Sequence, residues 1–279
     1  MHQIKQLSEH VWYLPASHET DRPVLGAVLG QDYSLLIDAG NSPAHAELFL
    51  NELKRIGASE SRLLVLTHWH WDHIFGTKKM NLPAIAHAKT KLHIDKLKGL
   101  QWTDEALDER VRTGVEIEFC AEMIKKEFGE KRDEIKIVSP VMTFEDSLAI
   151  DLGGVHVRLK HVGGDHADDS TVVFIEEDSV LFLGDCYSPN MYAKKWHYNT
   201  PVFLKLLNEL EEYQASFYIH SHANPATQEE FYQELFEMRA INRAALENKG
   251  DTEATLSAMK AALGRDPNED EIEFASFFE

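Results

Sequence analysis

Thr67-His68-Trp69-His70-Trp71-Asp72-His73 follows directly on the apolar run Leu63-Leu64-Val65-Leu66, and the reading of this stretch decides the fold. It sets three imidazoles and a carboxylate in six consecutive positions. Those are the donors that zinc, iron and manganese accept at neutral pH, and a short strand feeding a tight loop can aim several of them at one point. A polar loop that happens to be rich in histidine is the plain alternative. Four ligand-type side chains packed behind a buried strand favour a metal site.

Further segments of the same character lie on both sides. Leu35-Leu36-Ile37-Asp38-Ala39-Gly40 precedes the histidine stretch, and Gly164-Asp165-His166-Ala167-Asp168-Asp169-Ser170, Leu181-Phe182-Leu183-Gly184-Asp185 and Ile219-His220-Ser221-His222-Ala223 follow it. Together with His-x-His-x-Asp-His, their order resembles the motif series of the metallo-β-lactamase-fold hydrolases over residues 4–225. The resemblance implies that Asp38 supports the metal loop, that His68, His70 and His166 hold one metal, and that Asp72, His73 and His222 hold the other, with Asp185 bridging the two. It implies two divalent cations as cofactors, Zn2+ first, with Fe or Mn as alternatives. A metal-bridging hydroxide, with Asp72 and Asp185 as catalytic carboxylates, would then attack the ester, thioester, lactone or amide-type carbonyl of a small molecule. A phosphodiesterase of the same fold stays open, as does a metal-dependent binding or sensing protein without turnover. His161 and His220 each precede a better-matched histidine and read as supporting or surface residues.

The remaining chain supplies the surroundings. Residues 187–197 leave the Asp185 strand and are expected to rim the cleft, with Tyr192, His197, Lys194 and Trp69 as substrate contacts. Met191 and Trp196 extend an apolar wall, and Trp71, wedged between ligands, reads as core. Such an aromatic rim with only Lys194 and Lys195 suits a carbonyl substrate, since a phosphodiester needs several cationic donors.

Strand patterns at 11–14, 24–29, 35–37, 63–66 and 84–87, and again at 141–144, 149–152, 155–159, 171–175 and 180–183, give an α/β (α+β) chain. Pro43 to Ile56 reads as a helix stopped by Gly57. The resemblance implies a four-layer αββα metallo-β-lactamase sandwich over 1–225. A helical insert at about 92–135 contains Thr103 as an N-cap, with Leu107, Val111 and Val115 on one side and Gly129 as a stop; it is either a lid or plain packing. A helical C-terminal extension, 226–279, opens with the capping box Thr227-Gln228-Glu229-Glu230, and another helix spans about 253–263. Its aromatic end, Phe274 to Phe278, has to bury its rings on its own domain or on a second copy in a homodimer.

Composition narrows the partners. The 279 residues, 43% apolar, are enough for one large core. A formal charge of −19 argues against nucleic acid, whose phosphates demand clustered Lys and Arg. No signal-like start and no membrane-length apolar run is visible, so the cytoplasm and a small-molecule substrate are the expectation, with no membrane partner. Cys120 and Cys186 are too few for a disulfide framework, and Cys186 reads as a small buried residue at a strand end.

Overall fold

The computed structural model describes residues 3–278. Met1, His2 and Glu279, the outermost residues of the expected domain and extension, lie outside them. Two sheets form the centre. The first runs in chain order through β1 (Lys5–Gln6), β2 (Val11–Leu14), β3 (Leu25–Leu29), β4 (Ser34–Ile37), β5 (Ser61–Val65), β6 (Ala84–His87) and β7 (Met142–Phe144). Its first four strands pair antiparallel and its last four parallel. The second holds β8 (Ser147–Asp151), β9 (His156–His161), β10 (Thr171–Ile175), β11 (Val180–Gly184), β12 (Phe217–His220) and β13 (Ala226–Thr227), all antiparallel except β11 with β12.

The inner faces of the two sheets meet in one apolar cluster. Val28, Leu35, Ile37 and Val65 come from the first sheet, and Val157, Val173, Val180 and Ile219 from the second. Helices cover both outer faces, because strands apolar on both sides need a second layer to exclude water. Over the first sheet lie α1 (Pro43–Arg55), α2 (Trp71–Ile74), α3 (Thr77–Met80), α4 (Ala88–Leu97), α5 (Asp104–Arg112) and α6 (Glu118–Phe128). Over the second lie α7 (Thr200–Glu211), α8 (Gln228–Glu247), α9 (Thr252–Leu263) and α10 (Glu269–Ala275). This is the αββα sandwich that the motif order implied. Among the described residues no helix is long and apolar enough to cross a membrane.

Local signals set most helix ends. Ser42 caps α1 and Pro43 occupies its first turn; Thr103 caps α5; the Thr227–Glu230 capping box opens α8. The expected run through Val115 is one turn too long. Gly114 takes a left-handed φ of 72°, the helix stops, and Val115 is 63% exposed. The insert is packed rather than loose: Leu107, Cys120, Ile124 and Phe128 share a core cluster with Phe49 and Phe75. The aromatic end is covered by its own chain. Phe278 stacks on Tyr198 at 4.8 Å and the Tyr198 amide donates to the Phe277 carbonyl at 2.9 Å, so Phe277 and Phe278 are buried on their own chain and Phe274 is half-buried.

Candidate metal centre

The ligand-type side chains come from strand ends and the loops that leave them. His68 and His70 follow β5, Asp72 and His73 ride on the first turn of α2, His166 precedes β10, Asp185 follows β11 and His222 follows β12. All are buried except His222, which is partly open. They form two groups: His68, His70 and His166, and Asp72, His73, Asp185 and His222. Within each group the potential ligand atoms lie within 4.8 Å of one another. Asp185 Oδ2 faces both groups, 3.9 Å from His68 Nε2 and 3.5 Å from His166 Nε2, and 3.3 Å from both His73 Nε2 and His222 Nε2.

Asp38 organises the floor. It takes a left-handed φ of 61°, which Asp tolerates at modest cost, and accepts from the Thr67 amide, the Thr67 hydroxyl and His73 Nδ1, each at 2.8 Å. Because the Thr67 hydroxyl donates to Asp38, it is left to accept from His68 Nδ1 at 3.2 Å. His166 Nδ1 donates to the Pro189 carbonyl at 3.2 Å. Nδ1 of each of these three imidazoles is thereby engaged and Nε2 is turned inward, the nitrogen that a metal would take. Gly184 lets the second sheet come close: its φ is 56°, and a Cβ there would sit 3.0 Å from the Thr67 side chain.

Electrostatics sort the groups by neighbour. Burial, reinforced by adjacent histidines, pushes His68 and His70 well below the usual imidazole value, and burial lowers His166. Burial also opposes charge on His73 and His222, yet the carboxylates around them raise both. Asp72 and Asp185 stay ionised because the facing imidazoles outweigh desolvation. His68 Nε2, His73 Nε2, His166 Nε2 and Asp72 Oδ2 are nevertheless buried without a hydrogen bond of proper geometry. Each atom so stranded costs about 1–3 kcal/mol. Converging lone pairs from five imidazoles and two carboxylates, stranded in this way, fit two divalent cations.

Two further features have no local signal in the sequence. Asp21, at a left-handed φ of 59°, places Oδ1 3.4 Å from His222 Nδ1; burial and the nearby Asp72 push its carboxyl up to about 7. Glu127 of α6 clamps the loop that carries it, accepting from the Thr20 and Ser42 hydroxyls and from Arg22 Nη2 at 2.7 Å.

A cavity of about 300 Å³ opens over the ligands. Its far wall is Ile117, Phe119 and Cys120 from the insert, Met191, Tyr192 and Trp196 from the rim loop, and Glu273, Phe274 and Phe277 from the C-terminal extension. Tyr192 lines it, its hydroxyl donating to Glu116 at 2.9 Å. Trp69 backs that wall, stacked on His93 at 5.4 Å and 5.9 Å from Tyr192. Lys194 and His197, expected as substrate contacts, do not reach the cavity. An Asn190–His197 bridge folds the loop back on itself, leaving Lys194 exposed and His197 on a separate surface cavity with Tyr198–Pro201. Trp71 and Cys186 are core, as read, and so is Phe75. His161 stacks on His87 at 3.8 Å and His220 pairs with Glu234 at 3.0 Å, both outside the two ligand groups.

The chain matches a family model described as Metallo-beta-lactamase superfamily over residues 22–186. A linear primary-alkylsulfatase from Pseudomonas sp. (strain ATCC 19151) is 23% identical over 230 residues, covering 73% of this chain and 42% of that protein. Among solved structures, a metallo-beta-lactamase from Pontibacter korlensis superposes with a TM-score of 0.60 at 18% identity, over 84% of this chain and 97% of that one. A stereoselective inverting sec-alkylsulfatase from Pseudomonas sp. gives 0.65 at 15% identity, over 99% of this chain and 47% of the other. The chain thus spans less than half the length of both alkylsulfatases.

Proposed function

The chain belongs to the metallo-β-lactamase superfamily, and from that premise we propose that it is a metal-dependent hydrolase acting on the carbonyl of a small ester, thioester, lactone or amide. The observation that carries this is Asp185 Oδ2, one carboxylate oxygen set against four imidazole nitrogens drawn from both ligand groups. His68, His70 and His166 would hold one cation, Asp72, His73 and His222 the other, and Asp185 both, with zinc the best match to this imidazole-rich set. When bound, such a pair supplies a water of lowered pKa and polarises a carbonyl oxygen.

The chain's own side chains do the rest. Asp38, through His73 and through Thr67 to His68, fixes which ring nitrogen is free, and the Pro189 carbonyl does so for His166. Asp21 lies beside His222 on the outer side. Asp72 and Asp185, ionised and buried, keep negative charge at the point where cations gather. Tyr192, Phe119 and Trp196 narrow the approach and limit the water that enters with a substrate.

A second reading is hydrolysis of a sulfate monoester, which the likeness to alkylsulfatases supports. The cavity wall speaks against it, since among the described residues no lysine or arginine lines it. Zinc-loaded protein assayed on matched aryl esters, thioesters, lactones, phosphodiesters and alkyl sulfates separates the readings. The carbonyl compounds are expected to give the highest kcat/KM; a tenfold advantage for sulfate or phosphodiester would replace the proposal.

A further inference from the structure

We propose that the cavity beside the ligands is an acyl-chain subsite, built jointly by the helical insert and the C-terminal extension, that selects neutral substrates with an apolar acyl group. The inference rests on the hydrolase reading above and deepens it. The walls that face the ligands are Ile117, Phe119, Met191, Trp196, Phe274 and Phe277. Phe119 is 43% and Trp196 38% exposed, and both bound a concavity that opens directly onto His70 and Asp185. Large rings left open in a concave site are what an apolar ligand group covers.

Charge sets the second half of the specificity. Asp21 and Glu273 are on the wall, Glu116 stands behind Tyr192, and among the described residues no lysine or arginine lines it to meet an anion. A carboxylate or sulfate on the substrate tail would lie against these acids inside a chain of formal charge −19. A neutral hydrocarbon or aromatic tail meets no such opposition.

The wall is also held in place before any substrate arrives. Tyr192 is tied to Glu116 of the insert, and Phe277 is pinned by the Tyr198 amide and the Phe278–Tyr198 stack. Ordering cost on binding is therefore small. The cavity, about 300 Å³, lies at the lower end of ligand-pocket sizes, roughly 300–1,000 Å³, which suits an acyl chain of moderate length.

The test uses zinc-loaded full-length protein, wild type and the surface variants Phe119→Ala and Trp196→Ala, with metal content and Tm recorded for each. Neutral p-nitrophenyl esters from acetyl to octanoyl measure turnover. Methyl alkyl ketones of matching length, followed by calorimetry, measure binding without reaction. From acetyl to hexanoyl, kcat/KM is expected to rise on the order of a hundredfold, with ketone affinity following. Both variants should lower the hexanoyl value about tenfold more than the acetyl value at unchanged metal content. A flat profile with brisk ester hydrolysis overturns the subsite and leaves the hydrolase reading standing. Chain-length selectivity toward ketones with no turnover of esters, thioesters, lactones or amides supports the subsite and overturns the hydrolase reading. Equal turnover of hexanoyl and carboxylate-ended adipoyl esters, or faster hydrolysis of hexyl sulfate, overturns the preference for neutral substrates.

Discussion

The floor and the far wall of the cavity are built on different physical principles. The floor is polar and closed. Its side chains leave the ends of β5, β10, β11 and β12, and Asp38 alone accepts three hydrogen bonds beneath them. The wall is apolar and partly open, made of rings from the insert, the rim loop and the C-terminal extension. A buried polar network fails when one member is removed, because its partners are left unpaired in a medium that cannot solvate them. A half-exposed ring contributes in proportion to its covered area. Changes to the floor should therefore act on metal and rate, and changes to the wall on substrate preference.

Asp185→Asn is the strongest way to break that division. It keeps shape and removes the negative charge shared by both groups, so loss of one metal and at least a hundredfold loss of turnover are expected, while the cores on both outer faces keep the fold. Metal analysis beside thermal unfolding checks this; an unfolded variant, or one with full metal and full rate, contradicts it.

Asp38→Asn touches no ligand atom's own position yet withdraws an acceptor from Thr67 and His73. Asn is comfortable at the left-handed φ of residue 38, so the effect isolates charge and hydrogen bonding. A ten- to hundredfold loss of metal affinity is expected, measured by competition with a chromogenic chelator. Unchanged affinity would mean that the floor does not depend on its support.

Glu127→Gln probes the joint between insert and floor and should act on stability more than on rate. The Glu127 side chain is only 3% exposed; desolvation disfavours its charge, but Arg22, Ser42 and Thr20 together hold its carboxyl below the ordinary value. A lowered folded value means that the contribution is full above the unfolded value of about 4.3 and is lost as acid takes the pH down through the lowered one. The variant should lose about 2 kcal/mol at pH 7, less than a fully buried pair because Arg22 reaches solvent, and the difference from wild type should shrink toward pH 3. Chemical denaturation at the two pH values tests it, and a gap that widens in acid would refute the assignment.

The two regions also differ in how far they can be read from the chain. Four of the seven ligand positions fall in one short stretch, His68 to His73, and Asp185 and His222 follow apolar strands, so local pattern carries most of them. Asp21 had no such signal: its partner His222 is two hundred positions away. The wall depends on contacts of the same kind, Tyr192 with Glu116 and Tyr198 with Phe277, which no periodicity encodes. Helix α10 falls within the expected helical extension, although its own capping box, Asn268 with Glu271, was not read from the acidic stretch that holds it. The loop misreading has a simple cause. Lys194 and His197 lie near the ligands in sequence, but the hairpin at Asn190–His197 turns them outward and leaves Tyr192 and Trp196 inside.

The central claim is that the seven converging side chains form a site for two cations. Elemental analysis of folded, chelator-free protein after titration with zinc and gel filtration tests it most directly. Close to two equivalents per chain should be retained, and a folded chain that keeps less than half an equivalent of zinc, iron or manganese would contradict a two-cation site.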